Sequence, residues 1–260
     1  LILCAGSFMN FLLGVILIVI MYGGAEAFRA PIITDFLDGC QYNTPETFQA
    51  GDEFYSIDGH RIYLISDVSM FLERGNGVYD IVMLRDGKKI EFDDMKLVPT
   101  IESEQGLKYG FVWGIERATL GVKLEYVWNT AKEFSRLVWL GLGDLIHGAV
   151  GVDDMAGPVG IVDMMNEAGS SAASTADAMY SMLYFSAFIA INLAIMNMLP
   201  IPALDGGRVF FMIVTVIFEA ITKKRLDPKY EGYIHAGGMV LLLLLMGFIM
   251  YNDIARLITG

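Results

Sequence analysis

Residues 178 to 218 are apolar almost throughout, yet Pro200, Pro202, Asp205, Gly206 and Gly207 break the run in its middle. One transmembrane helix needs about 20 apolar residues, so the run holds two helical segments with the interruption between them. Prolines remove backbone donors and clash with the preceding turn. In hydrocarbon the freed backbone groups must find partners inside the protein, and a carboxylate must face a bundle interior or water. Such a segment confines the chain to a membrane architecture with an irregular polar point in its interior, and an ionisable residue at that point reads as functional.

Composition agrees: 55% of the residues are hydrophobic and the mean hydropathy is +0.51, above the roughly 45–50% apolar content of soluble domains. Residues 1–22 are apolar, have no basic segment ahead of them and no starting methionine, so they read as a transmembrane helix rather than a signal peptide. Residues 121–147 carry Lys123, Glu125, Lys132, Glu133, Arg136 and Asp144 among apolar residues at helical spacing (Leu124, Val127, Trp128, Ala131, Phe134, Val138). That pattern predicts an interfacial amphipathic helix, with a connecting loop continuing to residue 177. The broken transmembrane segment is placed at 178–219 and the last span at 236–258. Between them the loop 220–235 holds Lys223, Lys224, Arg225 and Lys229, which assigns it to the cytoplasm by the positive-inside rule.

Residues 23–120 read as a soluble, extramembrane domain on the opposite side, with 17 acidic and 9 basic residues between positions 23 and 119. Alternating runs at 53–57 and 79–84 end in Asp58-Gly59 and Asp86-Gly87, hairpin-type dipeptides. Residues 66–74 read as a short helix with Asp67 in its first turn and Gly75 past its end. The formal net charge of −12 excludes a nucleic-acid partner, which would require clustered Lys and Arg. Cys4 and Cys40 stand in different surroundings and predict neither a disulfide nor a metal site.

On the residues alone Asp205 has two open readings. It is a metal ligand, because a divalent cation would neutralise a carboxylate placed in apolar sequence and zinc accepts two imidazoles and a carboxylate. Equally, it caps a helix at the membrane edge before a glycine turn.

The stretch Asn197-Met-Leu-Pro200-Ile-Pro202-Ala-Leu-Asp205-Gly206-Gly207-Arg208 resembles the N-x-x-P-x-P-x-L-D-G-G signature of the site-2 protease family of intramembrane zinc metalloproteases. Ala5-Gly6-Ser7-Phe8-Met9-Asn10-Phe11 resembles the opening of that family's second core span, with Ser7 where proline is usual. Met155-Ala156-Gly157-Pro158-Val159-Gly160-Ile161 resembles its G-P-x-G-I element. In the soluble part, the hairpin carrying Gly51, Asp52, Ile57 and Gly59 is similar to that of PDZ domains, which places the chain in the branch typified by the regulator of sigma-E protease. The resemblance implies a polytopic α-helical membrane protein with an inserted α+β PDZ-like domain, Zn²⁺ as cofactor and Asp205 as a zinc ligand. It implies a role for Asn197, Asn192, Pro200, Pro202, Gly206 and Gly207 in orienting the site or an unwound substrate strand. Expected partners are transmembrane protein substrates, anti-sigma-factor-like or signal-peptide-like, and the lipid bilayer. The expected location is the bacterial cytoplasmic membrane, with the PDZ-like domain outside.

The family's H-E-x-x-H helix, which carries two zinc ligands and the general base, is absent from this chain, so the expectation is a fragment that is inactive alone. His60 reads as a solvated loop residue, His147 as half of an interfacial polar pair with Asp144, and His235 as a membrane-edge anchor. The methionines read as flexible core filler. The alternative class of function is a non-catalytic, membrane-anchored PDZ module that binds partners.

Overall fold

A computed structural model describes residues 4–44, 46–103, 106–151, 157–172, 174–223 and 228–259. Met155, Ala156, Lys224 and Arg225, which carry part of the motif and loop readings above, lie outside the described residues. The chain divides into two compact units, Gly24–Thr130 and the pair of segments Leu1–Gly23 and Ala131–Gly260.

The first unit is built on an antiparallel sheet. Its strands are β1 (Ala27–Phe36), β2 (Glu53–Ile57), β3 (His60–Arg61), β4 (Val78–Arg85), β5 (Lys88–Lys96) and β8 (Phe111–Arg117), in the order β5-β4-β2-β1-β8 with β3 paired to β2. A small separate ladder joins β6 (Ile101–Ser103) to β7 (Gly106–Lys108). Both hairpin dipeptides form two-residue turns: Asp58 and Gly59 have φ of 49° and 76°, and Asp86 and Gly87 have φ of 51° and 74°, the positive values a type I′ turn needs. Helix α2 (Ile65–Arg74) starts where Asp67 Oδ2 accepts the N–H groups of Tyr63 and Leu64 at 2.8 and 3.0 Å. It ends at Gly75, whose backbone is extended (φ −80°, ψ 179°) and where a Cβ would fall 2.0 Å from the Tyr79 ring.

The core of this unit is aromatic. Phe48 and Phe54 are fully buried and sit with Phe111 at ring-centroid separations of 5.5 to 5.9 Å, each burial contributing roughly 1.5–3 kcal/mol. Phe111 comes from β8, which pairs with β1 from Ala27↔Arg117 to Phe36↔Phe111, so β8 belongs to this folding unit.

The second unit is helical. It contains α1 (Ala5–Gly23), most of α3 (Leu120–His147), α4 (Pro158–Ser170), α5 (Thr175–Met198), α6 (Asp205–Thr222) and α7 (Pro228–Thr259). Among the described residues, three of its helical stretches are long and apolar enough to cross a membrane: Ala5–Gly23, Thr175–Met198 and Glu231–Arg256. Helices α1 and α5 meet through small residues, as membrane helices do where lipid gives no hydrophobic drive to associate. Gly14 lies against Ile191, where an added Cβ would come within 2.5 Å of Cγ1, and Ala187, Ala190 and Ala194 are buried along the same stretch of α5. Phe134 of α3, fully buried, meets Tyr184 and Phe188 of α5 edge to face at 4.9 and 5.4 Å.

One buried carboxylate ties the far end of α7 to α4. Asp253, 4% exposed, accepts the N–H groups of Gly157 at 3.2 Å and Gly160 at 2.9 Å. It therefore satisfies donors at the start of a helix whose own N-cap, Gly157, has no side chain. Gly157 is required for this contact, because a Cβ there would lie 2.6 Å from Asp253 Oδ2. The sequence signal was the carboxylate in an apolar run at Asn252-Asp253, which the motif reading passed over.

Candidate functional site

The break between α5 and α6 spans residues 199–204 and is a chain of tight turns. Its two prolines have no N–H, and the other four residues all find acceptors. Leu199 donates to Met196 O at 3.1 Å, Ile201 to Leu199 O at 2.8 Å, Leu204 to Ile201 O at 3.2 Å, and Ala203 to Nδ1 of His235 at 3.0 Å. Every backbone donor of the break is thus accounted for, which apolar surroundings demand. The carbonyls of Pro200 and Ala203 receive no hydrogen bond among the described residues. The break can therefore accept hydrogen bonds from a bound chain but has no donors left to give.

Gly206 and Gly207 are dictated by space. Both are buried in the first turn of α6. A Cβ on Gly206 would lie 2.2 Å from Met198 O, and one on Gly207 would lie 2.1 Å from Ile201 O. Only glycine lets α6 start this close to the chain that feeds it.

Asp205, the first residue of α6, is half-buried, and the N-cap position belongs to Leu204, with no side-chain capping bond. Among the described residues its carboxylate takes no hydrogen bond and no ion pair, so it is not consumed by capping. It projects toward the first turn of α1, where the Cβ position of Gly6 is 3.5 Å from Asp205 Oδ2. The structure thereby brings together the two ends of the sequence pattern, Ala5-Gly6-Ser7 and Asp205-Gly206-Gly207. The positive end of the α6 dipole favours negative charge at this place.

Beside the break lies an apolar cleft of about 560 Å³ lined by Phe8, Phe11, Trp139, Met198, Leu199 and Pro200 among others. Ser7 also lines it, 3% exposed, with a hydroxyl that has no partner among the described residues. Asn197 stands one residue before the end of α5, whereas Asn192 lies further back, where α4 contributes Ile161 and Met164 to one cleft and α3 contributes Leu142 and Leu145 to another. Neither amide is hydrogen-bonded among the described residues, and no bond joins either to Asp205.

The other polar residues named from the sequence have structural partners. His60 stacks on Phe71 at 4.6 Å, and His147 Nδ1 donates to Gly143 O at 2.7 Å. His235 is not a free membrane-edge anchor: its ring is 14% exposed and bonded to the break. Sequence reading missed this link, and the only signal for it was a polar residue at the head of an apolar span. Among the described residues no group of three His, Cys, Asp or Glu side chains is placed to hold a metal ion, so Asp205 offers a single carboxylate donor. Cys4 and Cys40 are free thiols.

In the sheet unit, Gly51 has φ of 99° and Gly59 has φ of 76°, Ile57 is fully buried, and the carboxylate of Asp52, fully buried, grips Arg85. Arg85 Nε donates to Asp52 Oδ1 and its terminal nitrogen to Oδ2, both at 2.7 Å, while Oδ2 also accepts Gln49 N–H at 2.8 Å. Hydrogen bonding to Asp52 raises the Arg85 pKa further above its usual value. These four residues are scaffold.

A model of peptidase family M50 matches residues 1–245. The chain is 29% identical to zinc metalloprotease RasP of Bacillus licheniformis over 259 residues, covering 98% of this chain and 58% of that protein. It is equally similar, at the same coverage, to the regulator of sigma-W protease RasP of Bacillus subtilis. With zinc metalloprotease RasP of Oceanobacillus iheyensis it shares 30% identity over 269 residues, 98% of this chain and 59% of the relative. The chain thus spans somewhat under two thirds of the length of these relatives.

Proposed function

The chain belongs to peptidase family M50, the site-2 protease family, and on that premise we propose that it forms the greater part of a zinc-dependent intramembrane endopeptidase that cleaves transmembrane segments of membrane proteins. The relatives' names, zinc metalloproteases, support the cofactor. The observation that carries the reading is Asp205: a carboxylate left uncommitted at the first turn of α6, set there by two glycines that admit no side chain, and facing a glycine of α1.

The donor set fits zinc in part. Asp205 would hold the ion as one of about three protein ligands, and the remaining ligands and the general base would come from sequence outside these 260 residues. Zinc, when bound, lowers the pKa of a water toward about 7 and polarises a carbonyl. The chain's own residues then do the positioning. Pro200 and Pro202 keep the break from continuing as helix, and its free carbonyls would accept N–H groups from a substrate segment that has unwound. A transmembrane helix has its backbone closed by internal hydrogen bonds, so that opening must come first, and the apolar cleft beside Pro200 would take the side chains. Asn197, near the end of α5, would orient this strand or Asp205.

The sheet unit we read as a PDZ-like domain on the outer face of the bacterial cytoplasmic membrane, screening which substrates reach the bundle; a PDZ-like groove pairs with extended peptide. Substrates of the anti-sigma-factor type fit the name of the B. subtilis relative, regulator of sigma-W protease. The test is Asp205→Asn in the full-length protein, which keeps the shape of the side chain and removes the anionic ligand. Cleavage of a transmembrane substrate should be lost and membrane insertion preserved. Near-normal turnover with stoichiometric zinc would remove Asp205 from the site.

A further inference from the structure

Ala203, two residues before Asp205, is held at φ +80°, in the left-handed region that disfavours any residue with a Cβ. A conformation of this kind persists only where its surroundings over-determine it, and helix α7 supplies those surroundings. His235 Nδ1 accepts the Ala203 N–H at 3.0 Å. The ring of His235 packs edge to face on Phe211 of α6 at 5.5 Å. Almost one turn further along α7, Gly238 lies against Pro202 so closely that a Cβ there would be 2.5 Å from Pro202 Cβ and 2.9 Å from its carbonyl oxygen.

A neutral ring has one acceptor nitrogen, and Ala203 takes it. An N–H donor requires Nδ1 to be unprotonated, so the ring proton sits on Nε2. Nε2 is buried and without a hydrogen-bond partner among the described residues. Its nearest carboxylate oxygen, Glu231 Oε1, is 3.9 Å away, beyond hydrogen-bond reach.

We propose that His235 is a positioning residue for the protease site: its Nδ1 locks Ala203 in the left-handed conformation that sets the direction from which Asp205 enters α6. The proposal rests on the reading of Asp205 as a ligand. Without the acceptor Ala203 would relax toward negative φ, turning the peptide that leads into Leu204 and Asp205.

The experiment uses the full-length protein with a transmembrane substrate and compares His235→Ala, His235→Asn and the pair Ala203→Gly/His235→Ala. Hydrogen exchange of the peptide holding Ala203 provides a readout independent of catalysis. His235→Ala should lower kcat by about 10- to 100-fold, the scale of a misplaced catalytic group, with KM little changed and exchange faster. Asparagine carries Oδ1 on Cγ as histidine carries Nδ1, so His235→Asn should retain activity and protection. Ala203→Gly/His235→Ala should recover most of the lost kcat, because glycine holds positive φ without a clamp. If His235 merely satisfied a buried N–H, the glycine would rescue nothing. Equal loss in His235→Ala and His235→Asn, unimpaired turnover in His235→Ala, or no recovery in the pair would each overturn the clamp. Activity retained by Asp205→Asn in the same assay would instead remove Asp205 from the site, while the exchange of Ala203 would still report on the clamp itself.

Discussion

Asp52 in the sheet unit and Asp205 in the helical unit each sit beside glycine in a recognisable pattern, and their surroundings are opposite. Asp52 is fully buried and bound by Arg85 through two 2.7 Å contacts and by Gln49 N–H. Elsewhere in the same unit Asp67 Oδ2 closes the start of α2, and Asp58 Oδ1 accepts Asp80 N–H at 2.8 Å. Asp205, at the break of the helical unit, has no such partner among the described residues, and the hydroxyl of Ser7 and the amides of Asn192 and Asn197 are likewise unengaged. A polar group in apolar surroundings is costly until paired, so a scaffold pairs it at once. A site leaves it for a ligand that arrives later.

The largest effect that would break this contrast comes from the glycines. Gly206→Ala would drive a Cβ to 2.2 Å from Met198 O and 2.5 Å from Leu199 O. Those are backbone atoms that cannot swing aside, so α6 must shift. A shift of about 1 Å at a catalytic group costs on the order of 10²-fold in rate, and cleavage by full-length Gly206→Ala should fall by at least that much. Gly59 is the opposite case. Nothing lies within 4 Å of its Cβ position, but its φ is 76°, so Gly59→Ala should cost roughly 1–2 kcal/mol. Asparagine tolerates positive φ: Gly59→Asn should recover most of that loss, whereas Gly206→Asn should be worse than Gly206→Ala. Thermal unfolding and cleavage rates of the four variants decide it, and recovery by asparagine at Gly206 would show that α6 needs backbone freedom rather than space.

Asp52→Asn sharpens the comparison from the scaffold side. Breaking a buried pair by removing one charge costs about 3–5 kcal/mol, and the Arg85 side chain, 22% exposed, can recover part of that in water. A loss of about 2–3 kcal/mol in denaturant unfolding is expected, with catalysis at the break unchanged wherever the protein remains folded. A loss of cleavage at full stability would mean that Asp52 serves the reaction and is not scaffold.

Much of this was legible in sequence, for reasons that differ between the units. The turns at Asp58-Gly59 and Asp86-Gly87 declare themselves because positive φ is a local demand, met by the residues that show it. The break announced itself because prolines and a carboxylate are expensive in apolar sequence. The packing role of Gly206 and Gly207 was not legible: they read as a glycine turn or as orienting residues of the site, and packing shows them to be points of backbone contact. The Asp253 bonds to Gly157 and Gly160, and the His235 bond to Ala203, join residues 96, 93 and 32 positions apart. No periodicity or spacing rule encodes such separations, and a polar residue in an apolar span is the only trace they leave. The same holds for Phe111 of β8, which completes an aromatic core with Phe48 and Phe54 from far along the chain.

The smallest effect concerns pH and tests whether the sheet unit is as fully packed as its paired carboxylates suggest. Tyr126 is stacked on Phe28 at 4.1 Å and donates to Arg29 O at 3.2 Å. Burial, reinforced by the charges of Glu116 and Glu125, pushes its pKa up to about 12, and burial does the same for Tyr109. Unfolding returns both to the ordinary value of 10.0. A folded pKa above the unfolded one gives stability that is complete below about pH 10 and lost as the pH rises toward about 12, because the unfolded chain releases its protons first. Tyr126→Phe removes the titrating group together with one neutral hydrogen bond, worth about 0.5–1.5 kcal/mol. The variant should therefore be slightly less stable than the parent near neutrality and should lose less stability between about pH 10 and 12. Chemical unfolding across that range, with tyrosinate absorbance followed alongside, measures the crossing of the two curves. Parallel curves would mean that Tyr126 ionises freely and that the first turns of α3 do not seal this edge of the sheet.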